Sequence, residues 1–385
     1  MKILFDIEVC FVNTTGIARY TKEILSELIK QDTQNSYVLF HSSDIESFQY
    51  EWMPCLPDNF QVLRIPRSRR TITIFSLMGF GGKLIQKEFP EDIDLYFSPT
   101  HFLLPIKSRH KMGMIHDMSP YDCPSYFPWR DMQIGRRSFS QLAKTADRIL
   151  TVSKFSQQKI LNKWKLRQDE VGVVANAGWS ASSLEASNGT VNHSDVPAKY
   201  GIDKPYFLWY GAMWKRKNVT ALIEALGEFK KHINDGTLLV LAGTRGNQSE
   251  EVDQLALELD LEKYIRHIGF VDDEDMPGLM RGATAFVFPS MYEGFGIPVL
   301  EAMACGTPVI ASNTSSLPEV IENAGILVDP TMPSTIAESM MDIARSPELR
   351  QSLSELGETR AAAYSWSRSA RTLLETFEEV YKDNA

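Results

Sequence analysis

The run Tyr292-Glu293-Gly294-Phe295-Gly296-Ile297-Pro298-Val299-Leu300-Glu301-Ala302 combines two acids, two glycines and a proline at a spacing with chemical meaning. Gly294 and Gly296 let backbone N–H groups come close to a ligand. Pro298 suits the first turn of a helix, so that the helix N-terminus would face the same ligand. Such an end attracts a pyrophosphate, because its unpaired amides and aligned peptide dipoles both favour negative charge. Glu293 in the loop and Glu301 on the helix then flank one pocket. A carboxylate accepts two hydrogen bonds from a vicinal diol of the kind a ribose or a hexose presents, so acids on both sides of a phosphate site imply sugar on both sides. This setting outweighs the competing reading of the two glutamates as solvated surface acids.

Other phosphate devices fit poorly. A dinucleotide site needs Gly-x-Gly-x-x-Gly after its first strand, whereas the turn from Ile7 to Gly16 holds one glycine. Gly79-Phe80-Gly81-Gly82-Lys83-Leu84 has the wrong spacing for a phosphate loop, and Leu84 stands where Ser or Thr should bind magnesium. No Asp-x-Asp triplet of the kind that holds a divalent ion on a diphosphate is recognised. Asp272-Asp273-Glu274-Asp275 reads instead as an acid run that opens a helix by capping and dipole effects.

The elements that must position these residues follow from periodicity. Short apolar, β-branched runs alternate with helical patterns, which predicts an α/β chain with parallel sheets. Strands are expected at Lys2–Asp6, Tyr37–His41, Gln61–Ile65, Leu95–Ser98, Lys111–His116, Arg148–Val152 and Val171–Ala175. Ile17, Tyr20, Ile24, Leu25, Leu28 and Ile29 form the apolar stripe of the first crossover helix. Between Trp179 and Lys199 periodicity gives way to Ser, Ala, Asn and Gly, as in an interdomain linker. A second series starts at Tyr206–Gly211 and continues through Leu238–Ala242, Ile265–Phe270, Ala285–Phe288, Pro308–Ala311 and Gly325–Val328. The chain ends in helices over Pro333–Arg345, Pro347–Ala363 and Trp366–Lys382. Two doubly wound Rossmann-like domains are therefore expected, residues 1–180 and 200–365, presenting the carboxyl ends of their strands to a shared cleft.

Composition narrows the class. A chain of 385 residues, 43% hydrophobic and 23% charged, is a globular protein of two or three domains rather than a disordered or fibrous one. The net charge of −9 divides into +3 over residues 1–200 and −12 over 201–385, which is not the pattern of a nucleic-acid binder. From Arg64 to Lys87 six basic residues and no acid surround the apolar segment Ile72–Phe80, a candidate surface for an anionic membrane, with a core helix flanked by solvated arginines as the alternative. No apolar run approaches the ~18 residues of a membrane span, and Asp6 comes too early for a signal peptide, so a cytoplasmic chain is expected. Cys10, Cys55, Cys123 and Cys305 are too scattered for a zinc site and read as four buried thiols.

At this point the resemblance becomes specific. Glu293 and Glu301, in their glycine-proline context, resemble the E-x7-E motif of the retaining glycosyltransferases of family 4, which have the GT-B fold. Thr15-Gly16-Ile17, His116-Asp117, Thr151-Val152-Ser153, Gly211 to Asn218, Ala242-Gly243, Cys305-Gly306-Thr307-Pro308 and Ser316-Leu317-Pro318-Glu319 follow in the family's order. The mannosyltransferase B-like subgroup of O-antigen and polysaccharide synthesis is the most similar. The resemblance implies Glu301 on the donor ribose, Glu293 on the transferred hexose, and Gly294, Phe295, Gly296, Ile297 and Leu300 around hexose and phosphate. It implies Gly16 in the first loop, His116 beside the hexose, and Arg216 with Lys217 neutralising the diphosphate. Thr15 stands where many relatives have a second glycine, and Ala212 where some have an arginine, which throws more weight on Arg216 and Lys217. It implies no resident cofactor and no metal.

The resemblance further implies a nucleotide-sugar donor, GDP-mannose in this subgroup, and a polyprenyl-pyrophosphate-linked oligosaccharide acceptor. An enzyme peripheral on the inner face of the cell membrane and a last helix, 366–385, that packs back on the N-terminal domain are also implied. A UDP-hexose or deoxyhexose donor, a non-catalytic scaffold of the same fold and a nucleotide-sugar epimerase stay open as alternatives.

Overall fold

The computed structural model describes residues 1–12, 16–44, 52–53, 55–68, 70–71, 74, 85–179, 184, 195–233 and 235–383. Thr15, the Gly79–Leu84 run and most of the Arg64–Lys87 and Trp179–Lys199 segments lie outside them. The chain forms two compact units, Met1–Asn176 with Trp366–Ala385, and Ala177–Ser365.

The first unit is built on β1 (Lys2–Asp6), β2 (Ser36–His41), β3 (Phe60–Arg64), β4 (Leu95–Ser98), β5 (His110–Met114), β6 (Arg148–Thr151) and β7 (Val171–Val173). They pair in parallel in the order β3-β2-β1-β4-β5-β6-β7. The central strands are largely buried, whereas edge strand β3 buries only Phe60, so its Gln61, Val62 and Arg64 face outward. Helix α1 (Gly16–Gln31) buries Tyr20, Ile24, Leu25 and Leu28 as its stripe predicts. Ala18 and Thr21 complete the buried face, whereas Ile17, in the first turn, and Ile29, at the edge of the buried arc, are only partly covered. Helices α2 (Trp129–Thr145) and α3 (Lys154–Trp164) flank β6 in sequence, α3 being capped by Ser153, whose hydroxyl accepts from Ser156 N.

The second unit carries β8 (Tyr206–Tyr210), β9 (Leu238–Ala242), β10 (Ile265–Gly269), β11 (Ala285–Phe288), β12 (Val309–Ser312) and β13 (Ile326–Val328). They are parallel in the order β10-β9-β8-β11-β12-β13. Strand order reverses between β8 and β11, and a crevice at the carboxyl ends of strands beside such a reversal is where open α/β sheets place ligands. Its longer helices are α4 (Val219–His232), α5 (Ser249–Glu258), α6 (Met276–Gly282), α7 (Ile297–Ala304), α8 (Leu317–Ile321), α9 (Pro333–Arg345) and α10 (Pro347–Ala362).

The last helix, α11 (Trp366–Lys382), belongs to the first unit. Trp366, Ala370, Leu373, Phe377 and Val380 recur at three- and four-residue spacing and are buried. Trp366 lies edge-on to Tyr20, Phe377 edge-on to Phe97, and Arg148 pairs with Glu379 at 2.5 Å.

Two local expectations change. Asp275 makes no capping bond to α6; its carboxylate instead accepts hydrogen bonds from Lys199 and from the Tyr200 hydroxyl, because the short turn Val196–Lys199 packs against that helix. Of the four cysteines Cys10 and Cys305 are buried, but Cys55 is exposed and Cys123 partly so, since both sit in irregular segments outside the strands and the long helices.

Candidate functional site

The loops after β8 and β11 meet at the reversal point of the second sheet. After β8 the chain passes through Gly211 into a single tight turn, Lys215–Lys217, closed by Asn218 in the left-handed region (φ 57). Asparagine tolerates that region, and here its Nδ2 donates to the carbonyls of Pro289 (3.2 Å) and Pro330 (2.7 Å), tying three loops together. Met291 N donates to Arg216 O at 2.8 Å, which brings the β11 loop onto the β8 loop. The β9 loop is pressed against them too. Gly243 has φ 119, and a Cβ there would stand 2.0 Å from Gly211 O, so only glycine fits.

This arrangement brings Arg216, Lys217 and Glu293 together. Lys217 Nζ donates to Glu293 Oε1 at 2.6 Å, and Arg216 Nη1 lies 3.1 Å from Glu293 Oε2 and donates to Tyr292 O at 3.2 Å. Lys217 Nζ also lies 4.6 Å from the centroid of the Phe288 ring. Lys217 and Glu293 are 8% and 7% exposed, so little water screens the pair. Burial alone would raise the Glu293 carboxyl, but the charges of Lys217 and Arg216 overcome it and hold it down at about 2.

The loop then turns into α7 at Gly296, whose φ of 106 is left-handed and whose missing Cβ would lie 2.6 Å from Leu317 Cδ2. Pro298 occupies the first turn. Leu300 is fully buried, and Phe295 is buried edge-on to Tyr364 at 5.6 Å. Gly294 and Ile297 are half-buried, on the side of the loop that is open to solvent. Glu301 is 1% exposed, which overturns any reading of it as a surface acid.

In the first unit His116 lies two residues beyond the end of β5. Its Nε2 faces Pro99 O at 2.8 Å and, since a carbonyl only accepts, carries the proton there. The Tyr20 ring stands edge-on to the imidazole at 5.2 Å. Burial lowers the His116 pKa, against opposing contributions from the Pro99 bond and Asp117, so His116 is a neutral imidazole near pH 7. Gly16 is exposed at the start of α1.

Residues 194–360 match the family model of the group 1 glycosyl transferases. The chain is 30% identical over 371 residues to the O-antigen chain mannosyltransferase B of Escherichia coli, covering 95% of this chain and 96% of that protein. This chain is a group 1 glycosyltransferase. It is also 28% identical over 249 residues to the O-antigen chain mannosyltransferase RfbU of Salmonella typhimurium, covering 65% of each chain. Among solved structures, sucrose-phosphate synthase from Thermosynechococcus elongatus superposes with a TM-score of 0.74 at 17% identity, covering the whole of both chains. The likeness shows the architecture, two Rossmann-like α/β domains of the GT-B fold.

In this glycosyltransferase the sequence-expected residues divide between the units: Arg216, Lys217, Glu293, Gly294, Phe295, Gly296, Ile297, Leu300 and Glu301 share the second, His116 and Gly16 the first. Two features escape sequence reasoning. Lys217 and Glu293, 76 residues apart, form a buried ion pair that no spacing rule predicts. Asp92-Ile93-Asp94 does carry an Asp-x-Asp spacing, as does Asp273-Glu274-Asp275, but Asp92 accepts from Lys2 Nζ at 2.7 Å and Asp94 from Lys2 N at 2.8 Å, which fastens β1 to the segment before β4. No described helix is long and apolar enough to cross a membrane.

Proposed function

We propose that this glycosyltransferase moves mannose from GDP-mannose to a polyprenyl-pyrophosphate-linked oligosaccharide in the synthesis of O-antigen or another surface polysaccharide, with retention and without a metal. The observation that carries the reading is the pair of cations, Arg216 and Lys217, gathered with Glu293 at the reversal point of the second sheet, one loop away from the buried Glu301 on α7. Full-length similarity to a mannosyltransferase favours mannose as the sugar.

In the proposed reaction the bond from the anomeric carbon to the β-phosphate oxygen breaks and a bond from the same carbon to the acceptor oxygen forms. The acceptor proton passes to the departing phosphate oxygen, so no residue is nominated as a covalent nucleophile. Charge grows on the leaving diphosphate, and preorganised cations and helix-terminal amides lower the energy of that state most. Arg216, Lys217 and the first turn of α7 fill this role. Glu293 addresses the hexose once the diphosphate has taken over its cations, Glu301 takes the ribose hydroxyls, and His116, neutral, hydrogen-bonds near the hexose. Nucleotide release across a panel of GDP-, UDP- and deoxyhexose donors tests the donor. Turnover of GDP-mannose in excess EDTA with an α-linked product is expected; loss of turnover restored by magnesium or manganese, or a β-linked product, would overturn the mechanism.

Glu301→Ala removes a hydrogen-bond pair to a group that does not react. GDP should bind roughly 1–3 kcal/mol more weakly, about five- to 150-fold in Kd. Unchanged calorimetric affinity would make the ribose assignment wrong.

We further propose that the Arg64–Lys87 stretch faces an anionic membrane on its inner side, each cation near the leaflet contributing about 1 kcal/mol. Arg67 is partly engaged by Glu88 at 3.5 Å, while Arg70 and Ile74 are exposed. Replacing Arg67, Arg69 and Arg70 by glutamate should abolish flotation with anionic liposomes and spare turnover on a short water-soluble acceptor; unaltered flotation would sink this placement.

A further inference from the structure

The loop after β12 does more than connect. Three consecutive hydroxyls on it reach the odd-numbered residues of the glycine loop. Thr314 Oγ1 donates to Met291 O at 3.3 Å, Glu293 N donates to Ser315 Oγ at 3.0 Å, and Ser316 Oγ shares its proton between the carbonyls of Glu293 and Phe295, both at 3.0 Å. Ser315 commits its own proton to Thr314 O at 2.7 Å, which leaves its oxygen as the acceptor for Glu293 N. Its backbone is left-handed (φ 56), a conformation that a residue with a side chain keeps only where its surroundings over-determine it. Ser316 is fully buried.

The geometry has a consequence for the amides. In a planar trans peptide the C=O and the following N–H point in opposite directions, and the described backbone has no cis peptide bond. Turning the Glu293 and Phe295 carbonyls onto Ser316 therefore turns the Gly294 and Gly296 N–H groups away from it. Glycine by itself would not hold an amide in one direction.

We propose that Thr314, Ser315 and Ser316 are positioning residues for glycosyl transfer, lacing the glycine loop so that the Gly294 and Gly296 amides and the Glu293 main chain keep one orientation. The proposal rests on the reading above that this loop meets the donor. It gives the Ser316-Leu317-Pro318-Glu319 run a role that none of the donor contacts supplies.

The test uses the full-length protein and the variants Ser316→Ala, Ser315→Gly and Ser316→Thr. Ser315→Gly relieves the left-handed backbone while deleting the acceptor, so its thermal midpoint should not fall, yet kcat should drop at least fivefold with GDP affinity within threefold of wild type. Ser316→Ala should lower kcat about tenfold with the same split, and Ser316→Thr, which keeps the hydroxyl, should recover most of it. A role in stability alone would lower the midpoint and leave kcat of the folded fraction intact. Hydrogen exchange supplies a readout that needs no substrate: amides of residues 291–297 should exchange faster in Ser315→Gly and Ser316→Ala, with the sheet amides unchanged. Unchanged exchange, or faster exchange with kcat within twofold of wild type, overturns the lacing. A wild-type protein that turns over no nucleotide sugar would refute the donor reading instead, and exchange would still decide whether the hydroxyls hold the loop.

Discussion

Glu293→Gln is expected to tighten GDP binding about tenfold while lowering turnover by at least about a hundredfold. The carboxylate now occupies the two cations that the diphosphate would use, at 2.6 Å from Lys217 and 3.1 Å from Arg216. On the proposed reading a bound diphosphate displaces it. An uncharged amide competes less for both, and a tenfold gain corresponds to ~1.4 kcal/mol, modest for a buried charge contact. Turnover suffers because the proposed contact to the hexose in the transition state loses its charge, a hundredfold being ~2.7 kcal/mol. Calorimetry with GDP and single-turnover kinetics read the two effects separately. Weaker GDP binding would mean that Glu293 organises the cations for the diphosphate rather than competing with it.

The same substitution carries a pH signature. Glu293 titrates at about 2 in the folded protein against an ordinary 4.5. A depressed folded value adds stability that is fully present above the unfolded value and is lost as pH falls through the window from 4.5 toward 2. Within it each unit costs up to about 1.4 kcal/mol. Acid unfolding of the Gln variant, followed by circular dichroism, should lack that part of the slope.

Lys217→Met should cost the second unit about 3 kcal/mol and lower turnover by two to three orders of magnitude. Methionine matches the lysine stem in length, so the loss is chiefly the charge, and it leaves Glu293 buried against Arg216 alone of the two cations. Breaking one side of a buried pair is more damaging than removing both. The double variant Lys217→Met with Glu293→Gln should therefore recover much of the stability while staying inactive. Urea unfolding of the four members of this cycle decides the matter. A single variant as stable as wild type would mean that the pair contributes no stability.

Much of this protein was legible in its residues alone. Strands such as Lys2–Asp6, Leu95–Ser98, Leu238–Ala242 and Ala285–Phe288 follow directly from apolar runs bounded by turn residues, because a parallel strand covered on both faces must be apolar nearly throughout. The start of α7 was legible in Pro298, because a fixed first-turn φ is a property of a single residue, whereas the left-handed entry at Gly296 emerged from the structure. Only the tertiary structure decided that Glu293 directs its charge to Lys217 and Arg216, that Asp275 binds Lys199 rather than capping α6, and that Thr314 to Ser316 hydrogen-bond to the glycine loop. Each of these joins residues far apart in the chain. Local spacing sets which groups a segment offers, but which group meets which depends on how the sheets bring their loops together, and burial then turns that meeting into a strong interaction.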